Sequence, residues 1–202
     1  MKEHLKIWEL SLLCAICITL CSGMWAKAEQ QDLSSQLVRL HVVGATDSES
    51  DQSLKLRVRD EILRHLEPKL EKVSDVKQAQ KIIGAELYNI QKIAKATAKS
   101  QGKNYTASAK LCHERFPTRN YETFSLPAGE YLSLRVTLGE GAGRNWWCVV
   151  FPPLCMTAAA DTEAFAGISE ESSKLITKDS GEYKLKFHII EFFEQLRSKL
   201  EK

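Results

Sequence analysis

The stretch Tyr131-Leu132-Ser133-Leu134-Arg135-Val136-Thr137-Leu138 is followed by Gly139-Glu140-Gly141-Ala142-Gly143, then by Trp146-Trp147-Cys148-Val149-Val150-Phe151. Its reading decides the fold. Both flanks are rich in β-branched, aromatic and other apolar residues, as strands are. The glycine-rich link between them predicts a hairpin, and Pro152-Pro153 stops the second strand.

Upstream, Leu37-Val38-Arg39-Leu40-His41-Val42-Val43 reads as another strand, with Arg39 and His41 alternating with apolar neighbours. Gly44 ends it. The polar run 45–51 reads as a turn and helix cap, with Ser48 and Asp51 spaced as in a capping box. Leu54, Val58, Ile62 and Leu66 then recur four apart, which predicts a helix that Pro68 breaks or kinks. A second helix is expected from Ser74 to about Lys99, on the spacing of Val76, Ala79, Ile83, Leu87, Ile90 and Ala94. Gly102 closes it. From Tyr105 to Cys112 the period is two, a strand pattern. Leu126-Pro127-Ala128-Gly129-Glu130 reads as a turn. After Phe151, residues 156–182 read as a loop. Phe187 to Lys202 carries Ile189, Ile190, Phe193, Leu196 and Leu200 at amphipathic-helix spacing. The order predicts an α+β fold: an antiparallel sheet, two helices inserted after its first strand, and a C-terminal amphipathic helix.

The N-terminus has a different chemistry. Lys2 and Lys6 precede an almost wholly apolar run from Leu10 to Trp25, and Ala26-Lys27-Ala28 supplies a small-x-small cleavage pattern. The expected division is a signal peptide over 1–28, a polar tether over 29–36 and one α+β domain over 37–202. The competing reading keeps the apolar run as an uncleaved anchor. A lipoprotein site is disfavoured, because Leu20 stands before Cys21 where a small residue is needed. Of six cysteines, Cys14, Cys17 and Cys21 fall in this segment, leaving Cys112, Cys148 and Cys155 beyond it. An odd number outside the cell permits one internal disulfide and a leftover thiol. Cys148 and Cys155 are the expected pair. Seven extended steps would part them by roughly 23 Å, so Pro152-Pro153 must turn the chain back. Both buried and reduced is the alternative.

The chain of 202 residues is 44% hydrophobic and 27% charged, ordinary for one globular domain. A net charge of +2, with Lys and Arg interleaved with acids, gives no footprint for nucleic acid. No active site is recognisable. Gly139, Gly141 and Gly143 precede a strand, so no helix N-terminus is there to hold a phosphate. Cys112 and His113 are strand neighbours pointing to opposite faces. His41 could approach Cys148 only across a sheet, and nothing in the sequence orients it. Asp47, Glu49 and Asp51 lack the Gly and distant Glu of a calcium loop. No cofactor or metal is expected. Trp146-Trp147 is the most informative pair, since adjacent strand residues face opposite sides. One fills the core. The other is either covered or an exposed binding anchor. Glu140, Arg144, Asn145, Trp146 and Trp147 form the candidate partner-binding group.

Several segments resemble a known family. They include Arg39-Leu40-His41-Val42-Val43, Asp47-Ser48, Asp51-Gln52, Leu54-Lys55, Val58-Arg59-Asp60 and Phe124-Ser125-Leu126-Pro127-Ala128-Gly129-Glu130-Tyr131. The most specific is Asn145-Trp146-Trp147-Cys148-Val149-Val150-Phe151-Pro152-Pro153-Leu154-Cys155. Together, from about residue 37 to 156, they resemble stage II sporulation protein R of endospore-forming Firmicutes. Gly44-Ala45 departs from the Ala-Asn expected before the turn. The resemblance implies a non-enzymatic protein secreted from the forespore into the septal intermembrane space. There it would activate a membrane-embedded protease that processes the mother-cell sigma factor precursor, pro-sigma-E. No small-molecule substrate is implied. The alternative is an exported cell-envelope hydrolase.

Ala26 and Ala28 lie behind an apolar run of suitable length, so cleavage after Ala28 is expected. Mass spectrometry of the exported product should begin at Glu29 or a close neighbour, and a mature chain retaining Met1 would refute this.

Overall fold

The computed structural model describes residues 2–121 and 124–153, together with 192 and 196. Helix α1 spans Lys2–Ser35, and strand β1 spans Val38–Val43. Helices α2 (Glu49–Leu70) and α3 (Val76–Ser100) follow. Then come β2 (Ala107–Phe116), the two-residue strands β3 (Arg119–Asn120) and β4 (Ser125–Leu126), β5 (Gly129–Leu138) and β6 (Asn145–Phe151).

The main sheet has the order β2-β5-β1-β6. β1 runs parallel to β5 and antiparallel to β6, while β2 and β5 are antiparallel. This corrects two expectations. The sheet is mixed rather than antiparallel, and β5 and β6 form no hairpin because β1 lies between them. Burial explains the insertion. All six residues of β1 are buried, so the strand needs a neighbour on each side and cover on both faces. An edge position would have left one row of its backbone N–H and C=O groups unpaired.

The two helices cover one face. Val38, Leu40, Val42, Leu134, Val136 and Cys148 point into a core shared with Leu54, Val58, Ile62, Ile83, Ile90 and Ala94. The spacing within α2 and α3 therefore sets the stripe that seals the sheet. α2 starts as its sequence suggests: the Ser48 side chain accepts from the Asp51 amide at 3.3 Å. The box is only half formed, because the Asp51 carboxylate turns instead to Thr46, Tyr105 and Lys103. Pro68 does not end α2, which continues to Leu70; so near a C-terminus few backbone bonds depend on the missing N–H. α3 is capped by Asp75, which accepts from the Lys77 amide.

The segment expected to be a tether is helical. α1 continues through Ser35, and Gln30, Leu33 and Leu37 are buried at its end. The apolar run before it is bare: Ile7, Trp8, Leu10, Leu12, Leu13 and Ile16 are all exposed. By length and composition Ile7–Ser35 could cross a bilayer, a test that a signal sequence also passes. The change from exposed to packed helix falls just after Ala28. The expected loop 156–182 lies outside the described residues. So does the expected helix Phe187–Lys202, apart from Phe192 and Leu196, which are helical.

Between α2 and α3, Glu86 accepts from Lys69, Asn89 and His65. Lys69 above all, then Asn89 and His65, hold its carboxyl down to about 2. Its folded pKa lies below the ordinary value of 4.5, so its stabilisation is complete above that value and is lost as pH falls toward 2. Glu86→Gln should lower Tm at neutral pH by about 1–4 °C and flatten the acid-side fall between pH 4.5 and 2, read by thermal melting across pH. An unchanged acid profile would contradict this.

Candidate functional site

At the end of the sheet where β1 and β5 finish, two loops meet. With β1 between β5 and β6, the connection 139–144 must cross the end of β1. There it pairs with the turn 44–48. The Gly143 amide donates to Gly44 O at 2.9 Å, Ala142 to Ala45 O at 3.2 Å, and Gly44 to Arg144 O at 3.4 Å. The contact is close enough that a Cβ on Gly143 would fall 2.2 Å from Thr46 O. Only glycine fits against that backbone.

Side chains from α2 lock the pair. Lys55 is buried and donates to Arg144 O at 3.0 Å and to Gln52 Oε1 at 2.6 Å. Gln52 in turn donates to Thr46 O at 2.8 Å. Burial, then repulsion from Arg144, lowers the Lys55 pKa. On the outer side, Asp47 Oδ1 accepts from the Arg144 amide at 2.7 Å, while the Arg144 guanidinium stands 3.6 Å away. These side chains are 72% and 62% exposed, so their ion pair contributes at most about 1 kcal/mol. A charge-assisted bond from a buried ammonium is worth about 1.5–3 kcal/mol. Lys55, not the exposed pair, therefore fixes the loop and leaves the Arg144 head free for other contacts. Asp51, 1% exposed, anchors the other flank. It accepts from Thr46 Oγ1 at 2.6 Å and Tyr105 OH at 3.0 Å, and pairs with Lys103 at 3.1 Å. The Thr46 hydrogen bond, foremost, lowers its pKa.

Glu140, Arg144 and Asn145 are exposed on this platform, as are Asp47, Ser48, Glu49 and Ser50. Neither tryptophan is a bare anchor. Trp146 lies on the helix face, with the Arg59 guanidinium 4.4 Å over its ring. Trp147 lies on the other face, stacked on His41 at 3.8 Å and edge-on to Phe116 at 4.6 Å. His41 is held further by Glu114 at 3.0 Å and Asn145 at 2.8 Å. Asn145 thus joins the platform to the sheet's second face.

The geometry removes the cysteine–histidine pairings. His41 aligns with Trp147 and Cys148 with Leu40, so His41 and Cys148 point to opposite faces. Cys112 aligns with Ser133 and His113 with Leu132, again opposite. Burial pushes the Cys112 thiol up, away from a reactive thiolate. Among the described residues no group of three or more His, Cys, Asp or Glu could hold a metal. At the far end of the sheet, a cavity of about 430 Å³ is lined by Lys27, Gln30, Gln31, His113 and Glu130, among others. Its two serines, Ser34 and Ser35, donate to backbone carbonyls one turn back.

The sequence reading missed Lys55 and Gln52. Lys55 carried a signal: it shares the face of Asp51, Val58 and Ile62, where a lysine must have a buried acceptor. Ala28 is exposed in α1, beside Ala26. Cys148 is disulfide-bonded and Cys112 is free. Cys155 lies outside the described residues.

A family model for stage II sporulation protein R (spore_II_R) matches residues 34–161. The chain belongs to this family. It is 35% identical over 158 residues to Stage II sporulation protein R of Bacillus subtilis (strain 168), across 77% of this chain and 69% of that protein. No solved structure matches. The stage II sporulation protein R match begins where α1 docks on the sheet and takes in both loops, Cys148 and Cys155. It leaves out the bare apolar helix.

Three cysteines follow Ala28, so a Cys148–Cys155 bond leaves one thiol, Cys112. Thiol labelling of the denatured, unreduced mature protein should mark Cys112 alone. Labelling of all three would overturn the pairing.

Proposed function

We propose that this chain is an exported signalling protein of sporulation that activates a membrane-embedded protease. That protease processes the mother-cell sigma factor precursor, pro-sigma-E. The route runs from the forespore into the septal intermembrane space. Family membership supports the sporulation role. The bare apolar helix, ending where packing begins, supports export. No cofactor or small-molecule substrate enters this reading.

One observation carries the contact surface: the glycine-rich connection and the turn before α2 are a single platform. A hot spot needs side chains held on rigid backbone, with a polar rim around apolar support. Here Lys55 and Gln52 fix the backbone from below. Arg144, Asn145, Glu140 and Asp47 form the rim, and Trp146 and Trp147 stiffen the strand that leaves it. A protein ligand of this kind acts by binding, and so needs no nucleophile.

The test separates binding from folding. Arg144→Ala with Glu140→Ala removes exposed side-chain atoms and leaves the Asp47 carboxylate on the Arg144 amide. The double variant should melt within about 2 °C of the parent while precursor processing falls at least about thirtyfold in a reconstituted assay with the protease. Normal melting with normal processing would place the contact elsewhere and sink the platform reading. Processing that persists without the protease would instead favour the hydrolase alternative.

A further inference from the structure

The face of the sheet away from α2 and α3 holds a buried guanidinium with no acid paired to it among the described residues. Arg39 is 0% exposed in the centre of β1. Its Nε donates to Cys148 O at 3.4 Å, and its Nη2 donates to Tyr121 OH at 3.0 Å. Its Cζ lies 4.2 Å over the Phe116 ring and 5.0 Å from the centre of Tyr131. Among the described residues no carboxylate pairs with it, and the cation Arg119 acts on it as a like charge. The remaining arm, Nη1, is buried without an acceptor. One more group on this face shares that condition. Ser133 is the register partner of Arg39 on β5, so both side chains leave the same face. Its hydroxyl is fully buried and also unpartnered.

A lone buried cation is expensive, because it has left water without a counter-charge. Aromatic faces offset part of that cost. They do not use the Nη1 protons or the Ser133 hydroxyl. Two orphaned donors from register-paired residues on one face, with a positive charge that no acid among the described residues pairs, describe a receptor for an anion. The site is closed to solvent, so its ligand is small. We propose that Arg39 and Ser133 bind a single monovalent anion of halide size, with Nη1 and the Ser133 hydroxyl donating to it. Arg39 is tied to β6 through Cys148 O and, by way of the Tyr121 hydroxyl, through Trp147 O, so filling the site stiffens the strand that carries the platform.

Thermal melting of the purified full chain in non-ionic detergent tests this. Chloride is varied against gluconate at constant ionic strength. Tm should climb about 3–5 °C for each tenfold rise in chloride above its dissociation constant. Bromide should act likewise, and crystals grown in bromide should show an anomalous peak at hydrogen-bonding distance from Nη1. Arg39→Met, which keeps the volume and removes the charge, should abolish the halide dependence. Should that variant not fold, Ser133→Ala must still weaken the response. A parent protein whose Tm is the same in chloride and gluconate overturns the proposal and leaves a buried water on the third arm. A halide response undiminished in both variants overturns it too, since the anion would then sit elsewhere.

Discussion

The structure depends on β1 holding the centre of the sheet. Its six residues are buried on both faces, and every larger feature follows from that placement. Because β1 separates β5 from β6, the glycine-rich connection cannot be a tight turn. It has to pass over the end of β1 and meet the chain as it leaves for α2. The same placement sends Arg39 and His41 into a second, aromatic layer rather than into solvent. It also fixes which tryptophan faces which side, since Trp146 follows Val42 and Trp147 follows His41.

Energetics then sort the contacts at the loop junction. The visible charge pair, Asp47 with Arg144, is exposed and weak. The buried Lys55 ammonium, facing a backbone carbonyl, is the strong element, and Gln52 and Asp51 extend it to both sides. Division of labour results: buried groups hold the backbone, and exposed groups remain available. Such a surface is suited to recognition, and it needs none of the acid–base geometry that a hydrolase would require.

Much of this was legible in the residues. The two helices, their stripes and the strand pieces follow from periodicity, and the Ser48 cap from its spacing. The glycine-rich connection was recognised as a special place, but its partner was not. A link of small residues between two strong strands has the same local pattern whether the strands pair or straddle a third, so topology was invisible there. The one hint was β1 itself. Its Arg39 and His41 look like a solvent face by alternation, yet its neighbours are uniformly apolar. Burial of those two residues depends on Phe116, Tyr121, Tyr131 and Trp147, which are distant in sequence. By polarity residues 29–36 read as a tether. Through Ser35 they are helical because α1 already runs into them, and Leu33 and Leu37 dock the end. The apolar run Leu10 to Trp25 and the Trp-Trp-Cys to Pro-Pro-Leu-Cys stretch are legible in the chain directly. The second of these carried the family.

The central claim is that the turn before α2 and the glycine-rich connection act as one recognition surface. Backbone hydrogen exchange of the purified chain, with and without membranes carrying the protease, measures it most directly. The account predicts added protection in residues 44–52 and 139–147 together, with α3 unchanged. Protection of the outer face of α3 around Tyr88, with both loops unaffected, would contradict it.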